Sequence, residues 1–560
     1  MTLVLLATLN TSMGAVAPNT ERALAALEEG ARRGAALVVF PEGTLTGYPA
    51  KDRLMRASFI RGNLAALERL ARATAAGPAC LVGFAEPHPE PVNGLHNAAA
   101  LCRGGRVEAV YRKRLLPTYD VFDEARYFDA GSGPLVFGLE GFRLGVTICE
   151  DLWCEAGFSP RHYAGDPAAE SARAGAEVVV NLSASPYGLG KEASRRAMLA
   201  RAARRSGAPV LYVNQVGGCD DILFDGTAFA YGADGALRGR LPALREDFLE
   251  VRLERGADGA AAVASSVPAE EWEHGLDTLR GALAMGIGDY VRKCGAPGVL
   301  LGLSGGIDSA LVAALAAEAL GPGNVHGVAM PTRNNSPASE ADARELAERL
   351  GIRFSVCPIE GLFATAAAGM GPLFGGGEPQ GLARENLQSR LRALTLMTLS
   401  NATGALVLAC GNKSELCVGY CTLYGDTCGA ISPIGDLYKG QVYELSRHIN
   451  ARAGRELIPA AILDKEPTAE LRPGQRDADD LPPYEALDPI LRLFADEGLS
   501  EADVVALGHD AAFARRVAGL FDRNEYKRRQ TPPALKAGPR AFGFGWRQPV
   551  ATGPAPRAGG

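Results

Sequence analysis

Val299-Leu-Leu-Gly302-Leu303-Ser304-Gly305-Gly306-Ile307-Asp308-Ser309 decides the fold of the second half of this chain. A short apolar run bounded by glycine reads as a buried strand, and Ala310 to Leu320 continue as a helix. Strand, tight turn and helix in that order make one βα unit of a parallel sheet. The glycines let backbone approach a ligand. The following helix aims its unpaired N–H groups and positive dipole end at the turn, which suits phosphate. No lysine follows the glycines, which excludes the G-x-x-x-x-G-K-[ST] phosphate loop. Asp308 stands where a Mg²⁺ carried on the phosphates needs an oxygen ligand.

The rest of the chain bounds what this loop serves. Its 560 residues exceed one hydrophobic core, so two large domains or three smaller ones are expected. A net charge of −6 implies no general grip on nucleic acid. The 11 cysteines are odd in number and form no C-x₂-C pair; Cys417 and Cys421, the nearest approach, have no histidine beside them. Neither zinc nor a disulfide framework is implied, and a reducing cytoplasm is expected. The first segment, Leu3–Leu9, is strand-like and has no basic stretch before it, and no run of 18 apolar residues occurs, so no membrane association is expected.

Strand-like and helix-like patterns alternate throughout, which predicts α/β architecture. Strands are expected near 3–9, 36–40, 79–84, 97–102, 107–111, 144–148, 178–182 and 210–214, with helices at 21–33, 57–76 and 192–206. The Gly/Ala/Ser-rich stretch 256–269 is the expected linker between a first domain, 1–255, and a second, 270–545. The second repeats the βα theme at 325–330, 337–350, 354–358, 385–401, 405–409 and 437–450. The tail 546–560 is expected to be disordered.

Three reactive residues in the first domain each follow an apolar strand. Val38-Val-Phe-Pro41 leads to Glu42, Val110-Tyr-Arg112 leads to Lys113, and Leu144-Gly-Val-Thr-Ile148 leads to Cys149. Strand ends are where α/β folds collect catalytic groups. A thiolate can attack a carbonyl carbon, a carboxylate can take the thiol proton, and an ammonium can stabilise the oxyanion. None of the seven histidines lies in these motifs, which disfavours a Cys–His or Ser–His dyad.

The Glu–Lys–Cys set resembles the nitrilase (carbon–nitrogen hydrolase) superfamily, whose fold is a four-layer αββα sandwich. That resemblance implies Glu42 as general base, Lys113 as oxyanion-stabilising cation and Cys149 as nucleophile. The flanks Leu116-Pro-Thr-Tyr119-Asp-Val-Phe-Asp-Glu-Ala-Arg-Tyr-Phe128 and Asn181-Leu-Ser-Ala-Ser185-Pro-Tyr-Gly-Leu-Gly-Lys191 resemble the glutaminase domain of the glutamine-dependent NAD synthetase family, which implies that Tyr119, Ser185 and Lys191 hold glutamine. Members usually carry Gly-Gly-Gln where this chain has Gly217-Gly218-Cys219, so no role is carried over to position 219.

The S-G-G-x-D-S loop resembles that of the ATP pyrophosphatases, which implies a Rossmann-like parallel-sheet domain with ATP held by residues 302–309. Glu385-Asn-Leu-Gln-Ser-Arg-Leu-Arg392 predicts a helix with an apolar stripe of Leu387, Leu391 and Leu394. Asn386 and Arg390, four apart on another face, are placed to meet a polar ligand together. This segment resembles the NAD synthetase E-N-x-Q-x-R-x-R pattern. Cys410-Gly-Asn-Lys-Ser-Glu415, Gly419-Tyr420, Leu437-Tyr-Lys439, Lys465-Glu-Pro-Thr468 and Asn524-Glu-Tyr-Lys527 match further stretches. The resemblance implies Lys439 and Thr468 for ATP; Asn386, Arg390, Glu415, Tyr420 and Lys527 for deamido-NAD; and Asp308 with Glu415 for Mg²⁺. Members commonly have Thr where this chain has Cys410, a weaker hydrogen-bond partner.

The resemblance implies an ATP-dependent amidation of deamido-NAD⁺ with glutamine as nitrogen donor, an enclosed ammonia path, and a cytoplasmic homo-oligomer. Two rivals exist. GMP and asparagine synthetases share the S-G-G-x-D-S loop but pair it with other glutaminases, against which Glu42, Lys113 and Cys149 speak. A nitrilase-type amidase whose second half only senses nucleotide would not need Asp308 and Glu415 intact.

Overall fold

The computed structural model describes residues 1–88, 94–155, 157–158, 160–265, 267 and 275–552. It divides into two compact units, Met1–Thr278 and Leu279–Gly560.

The first unit is built on two sheets, of seven and six strands among the described residues. The larger has the order Ala261–Ser265, Asp247–Arg255, Thr2–Thr8, Leu37–Val39, Ala79–Pro87, Leu95–Arg103, Arg106–Arg112. The smaller has the order Leu237–Arg240, Ala228–Tyr231, Val210–Asn214, Val178–Ser183, Phe142–Ile148, Leu135–Leu139. Strand side chains alternate in direction, and here both directions are apolar. Val4, Leu6, Leu37, Val39, Leu81 and Leu101 point into a core shared with Val146, Ile148, Val180, Leu182, Leu211 and Val213 of the other sheet. Leu5, Ala7, Val38, Phe40, Cys80 and Val82 point the other way, against the helices Val16–Arg32 and Ala57–Ala73. Val179, Val210 and Tyr212 likewise meet Met198, Leu199 and Ala202 of the helix Lys191–Ser206. Helix, sheet, sheet, helix is therefore the expected αββα sandwich.

Part of the expected linker is sheet. Ala261–Ser265 pairs antiparallel with Asp247–Arg255, Val251 opposite Ser265 and Arg255 opposite Ala261. Small side chains that read as linker also suit a sheet edge where Val263 enters the core and Ala261 packs against it. Residues 266 and 268–269 of that stretch, and 270–274 beyond it, lie outside the described residues.

In the second unit, Arg353–Val356, Val325–Ala329, Val299–Gly302 and Leu406–Val407 form a sheet in that order, each pair parallel. The helix Ile307–Leu320 is apolar on all faces and buried along most of its length, as suits a helix enclosed by a parallel sheet and its cover. Leu387 and Leu391 of the helix Leu382–Thr403 join the core beside Leu300 and Val407. Leu394 is exposed instead, because Ala393 and Leu396 take the inward face there. A separate helical core gathers Leu416, Tyr438, Leu487, Leu491, Val517, Phe521 and Phe542. Trp546, inside the expected tail, belongs to that core: its indole packs edge-on against Phe542 at 5.0 Å, and Nε1 donates to Glu525 at 2.9 Å. Residues 553–560 of that tail lie outside the described residues.

Candidate active sites

In the first unit, Glu42 and Lys113 leave strands of the larger sheet and Cys149 leaves a strand of the smaller. The Lys113 ammonium donates to Glu42 Oε1 at 2.7 Å and to Glu124 Oε1 at 2.8 Å. Glu42 also accepts from Asn97 Nδ2 at 2.7 Å on Oε1 and from the Ala184 N–H at 3.0 Å on Oε2. Tyr48 donates its hydroxyl to Glu124 at 2.6 Å. These charged side chains are almost wholly buried, which is tolerable only because each has a partner.

Cys149 opens a short 3₁₀ turn after the strand Phe142–Ile148 and has a φ of 41°, unusual for a residue with a side chain. Its thiol feels the charges of Glu42 and Lys113. Burial pushes that thiol well above its ordinary pKa and Glu42 pushes it further, while Lys113 opposes both. Burial alone would lower Lys113, but Glu124 and Glu42 outweigh it and hold the ammonium charged. Glu124 is raised to about 7, first by burial and then by Glu42, with Lys113 opposing.

Tyr119 donates its hydroxyl to Glu150, next to the thiol, at 3.1 Å, and Tyr163 donates to the same carboxylate at 2.9 Å. Ser185 adjoins Ala184; its N–H donates to Asn214 at 2.8 Å, and its carbonyl accepts from Asn214 Nδ2 at 3.0 Å. Asn214 and Arg195 both bond Asp225, which stiffens that wall. Lys191 sits 5.7 Å over the Trp153 ring. The roles of Glu124, Asn97, Glu150 and Tyr163 went unread in the sequence; a lone polar side chain carries no periodic signal.

The second unit holds a cavity of about 650 Å³. Residues 302–309 line it together with Asn386, Glu415, Tyr420, Lys439, Thr468 and Lys527. Gly305 has a φ of +75°, and a Cβ there would meet the Ser339 carbonyl oxygen at 2.3 Å, so the turn requires glycine. Asp308 accepts from Lys439 Nζ at 2.5 Å and from Asn412 Nδ2 at 2.9 Å. Lys439 Nζ also lies 3.5 Å from Glu415. Burial and the neighbouring Asp308 raise Glu415 to about 8, with Lys439 opposing. Two crowded carboxylates beside a phosphate-shaped turn fit a divalent cation, which would relieve their repulsion.

Thr468 donates to the Gln475 carbonyl at 2.6 Å, and Lys527 donates to the carbonyls of Gly419 and Cys421 at 2.7 and 2.8 Å. Arg390 does not line the cavity: it is exposed and its Nε donates to the Leu423 carbonyl at 3.1 Å. The lining stripe of its helix is Glu385, Asn386, Ser389, Arg392, Ala393 and Leu396, steps of three and four that exclude position 390 and admit Arg392. Arg392 donates to the Met330 carbonyl and to Asn335 Oδ1, each at 3.1 Å, and burial lowers it to about 10. Cys410 lines the same cavity.

Comparison with known proteins agrees with this division. The carbon–nitrogen hydrolase family model matches residues 5–257, and the NAD synthase model matches residues 280–531. The chain is 43% identical to the glutamine-dependent NAD(+) synthetases of Synechocystis sp. and Rhodobacter capsulatus, in each case over 98% of both chains. Among solved structures, the glutamine-dependent NAD⁺ synthetase of Acinetobacter baumannii, in complex with ADP, aligns with a TM-score of 0.76 at 35% identity over 98% of each chain. That of Cytophaga hutchinsonii aligns with a TM-score of 0.82 at 21% identity, over 98% of this chain and 97% of that one, a likeness of fold.

Proposed function

This chain belongs to the glutamine-dependent NAD(+) synthetase family, and on that premise we propose how its residues divide the reaction. The enzyme is a ligase with glutamine as amido donor. The overall reaction is ATP + deamido-NAD⁺ + glutamine + water → NAD⁺ + AMP + pyrophosphate + glutamate. Relatives that match across both halves leave no support for an amidase with a nucleotide-sensing second domain.

The observation that carries the first half-reaction is the Lys113 ammonium shared by two buried carboxylates beside a thiol raised above its ordinary pKa. Such a thiol is protonated at rest, so attack requires a base. Glu42 takes that proton as sulfur adds to the glutamine carboxamide carbon. The oxyanion forms against Lys113, whose charge is already in place. The proton then passes from Glu42 to the departing nitrogen, and ammonia leaves a glutamyl thioester. Water, deprotonated by Glu42, clears it. Glutamine lies between Tyr119, Ser185 and Lys191, with Glu150 facing its ammonium and Lys191 its carboxylate.

In the second half-reaction, residues 302–309 cradle the triphosphate, and Lys439 and Thr468 hold it against the turn. Asn386, Tyr420 and Lys527 hold deamido-NAD⁺, and Arg392 takes the place first read for Arg390. Mg²⁺, held by Asp308 and Glu415, neutralises phosphate charge when bound. The nicotinate carboxylate, aligned with the α-phosphorus, attacks it as pyrophosphate leaves, and ammonia then adds to the acyl carbon, loses a proton and expels AMP. Ammonia passes to that step without release, because at neutral pH free ammonia is mostly ammonium and lacks the attacking lone pair. A cytoplasmic homo-oligomer fits this reading.

The test is NAD⁺ formation from glutamine and from ammonia, in the parent and in Cys149→Ala. The variant is expected to lose the glutamine-driven rate by about 10³-fold or more and to keep the ammonia-driven rate within about twofold. Loss of both would give Cys149 a structural role, and an ammonium scavenger that stopped the glutamine-driven reaction would refute direct transfer.

A further inference from the structure

The thiol and the groups that serve it stand on different sheets. Glu42 and Lys113 follow strands of the larger sheet, and Cys149 follows a strand of the smaller. Ladder hydrogen bonds fix distances within a sheet; between facing sheets that task falls to side chains. The bond from the Ala184 N–H to Glu42 is one such tie. Asp151, two residues past the nucleophile, makes another.

Its carboxylate is fully buried and receives four donors. Oδ1 accepts from the N–H groups of Arg114 at 3.1 Å and Leu115 at 3.0 Å. Oδ2 accepts from the Ile148 N–H at 2.9 Å and from the Tyr111 hydroxyl at 2.8 Å. One side chain thus grips the residue before the nucleophile and both flanks of Lys113. The bond to Ile148 also closes the turn that holds Cys149 at its positive φ.

We propose that Asp151 is a positioning residue that sets the separation between the Cys149 thiol and the Lys113 ammonium by bridging the two sheets. This rests on the glutaminase reading above. Asp151 touches no reacting atom, and with both oxygens engaged by donors it has no proton to give. Its consequence is geometric: a thiol displaced by an ångström from its base and its cation loses rate steeply, while the pocket that binds glutamine is left standing.

The experiment compares the parent with Asp151→Asn and Tyr111→Phe in the full-length enzyme. An amide cannot accept on both sides, so Asp151→Asn releases one pair of donors; Tyr111→Phe releases one donor. Glutamine-driven kcat is expected to fall about 100-fold in Asp151→Asn and about fivefold in Tyr111→Phe, with KM for glutamine within about threefold. Ammonia-driven NAD⁺ formation, unchanged in both, reports that the second unit is intact. The decisive readout is the pH midpoint of Cys149 alkylation by iodoacetamide, followed by peptide mass mapping. It moves upward in both variants when Lys113 no longer sits against the thiol, whereas unfolding exposes the buried thiol and shifts labelling downward, toward the ordinary thiol midpoint. An unmoved midpoint, or a parental kcat in Asp151→Asn, overturns the proposal. Should Asp151→Asn not fold, Tyr111→Phe decides alone by the same midpoint. A parent that makes no NAD⁺ from glutamine would sink the underlying reading instead.

Discussion

The two centres of this chain solve opposite problems. Around Cys149, a few buried side chains hold one another, and the charges are already partnered: Lys113 between Glu42 and Glu124, Glu42 between Asn97 and Ala184. Around Asp308 lies a cavity of about 650 Å³ whose polar groups mostly bond backbone carbonyls or each other at its walls. Covalent chemistry on one small amide needs few groups held without slack. Joining two nucleotides needs many contacts, each contributing a share. A single substitution should therefore be decisive in the first centre, and in the second only where it touches the phosphates.

The largest effect tests that exception. Asp308→Asn removes the carboxylate that pairs with Lys439 and faces the phosphate turn. NAD⁺ formation from either nitrogen source is expected to fall by about 10³-fold or more, while glutamate release from glutamine continues. A variant that lost only the glutamine-driven reaction would break the assignment of Asp308 to nucleotide chemistry.

Glu124→Gln tests the packed centre. The parent carboxyl, raised to about 7, ionises as pH rises through neutrality, and only then gives Lys113 a second charged partner. Glutamine-driven kcat should rise through that range in the parent. The variant should lose that limb and run about 100-fold slower at pH 8. The folded pKa lies above the ordinary value of 4.5, so ionisation costs the folded state stability as pH rises from there through about 7. Thermal melts should accordingly show the variant gaining on the parent between about pH 4.5 and pH 7, and little further above that. A variant with a parental pH–rate profile would remove Glu124 from the site.

What the sequence revealed divides along the same line. Glu42, Lys113 and Cys149 were legible because each ends an apolar strand, and those strands lie close to their expected places. Glu124 and Asp151 were not, since their importance arises from burial, which a loop carboxylate does not advertise. Leu135–Leu139 also went unread, although Glu140 and Gly141, both at positive φ, are the turn residues that pair it with Phe142–Ile148. In the second unit the glycine loop and its helix were plain. The helix Tyr484–Ala495 was not, because Pro489 stands inside it and reads as a break. Spacing on the helix Leu382–Thr403 found the face of Asn386 but grouped it with Arg390, which lies off the stripe that lines the cavity, whereas Arg392 lies on it.

That arginine supplies the smallest test. Arg392→Met removes a cation that burial has already weakened and that the Asn335 amide oxygen and the Met330 carbonyl hold against the cavity. One contact among many should cost about 10-fold in KM for a nucleotide substrate, with kcat changed less. Arg390→Met, which gives up only a surface bond to the Leu423 carbonyl, should stay within about twofold in both constants. If the order were reversed, Arg390 would have to swing into the cavity when substrate binds, and the second centre would be a site assembled by its ligand. Equal and small effects would instead support a cavity whose affinity is spread so widely that no single wall residue dominates it.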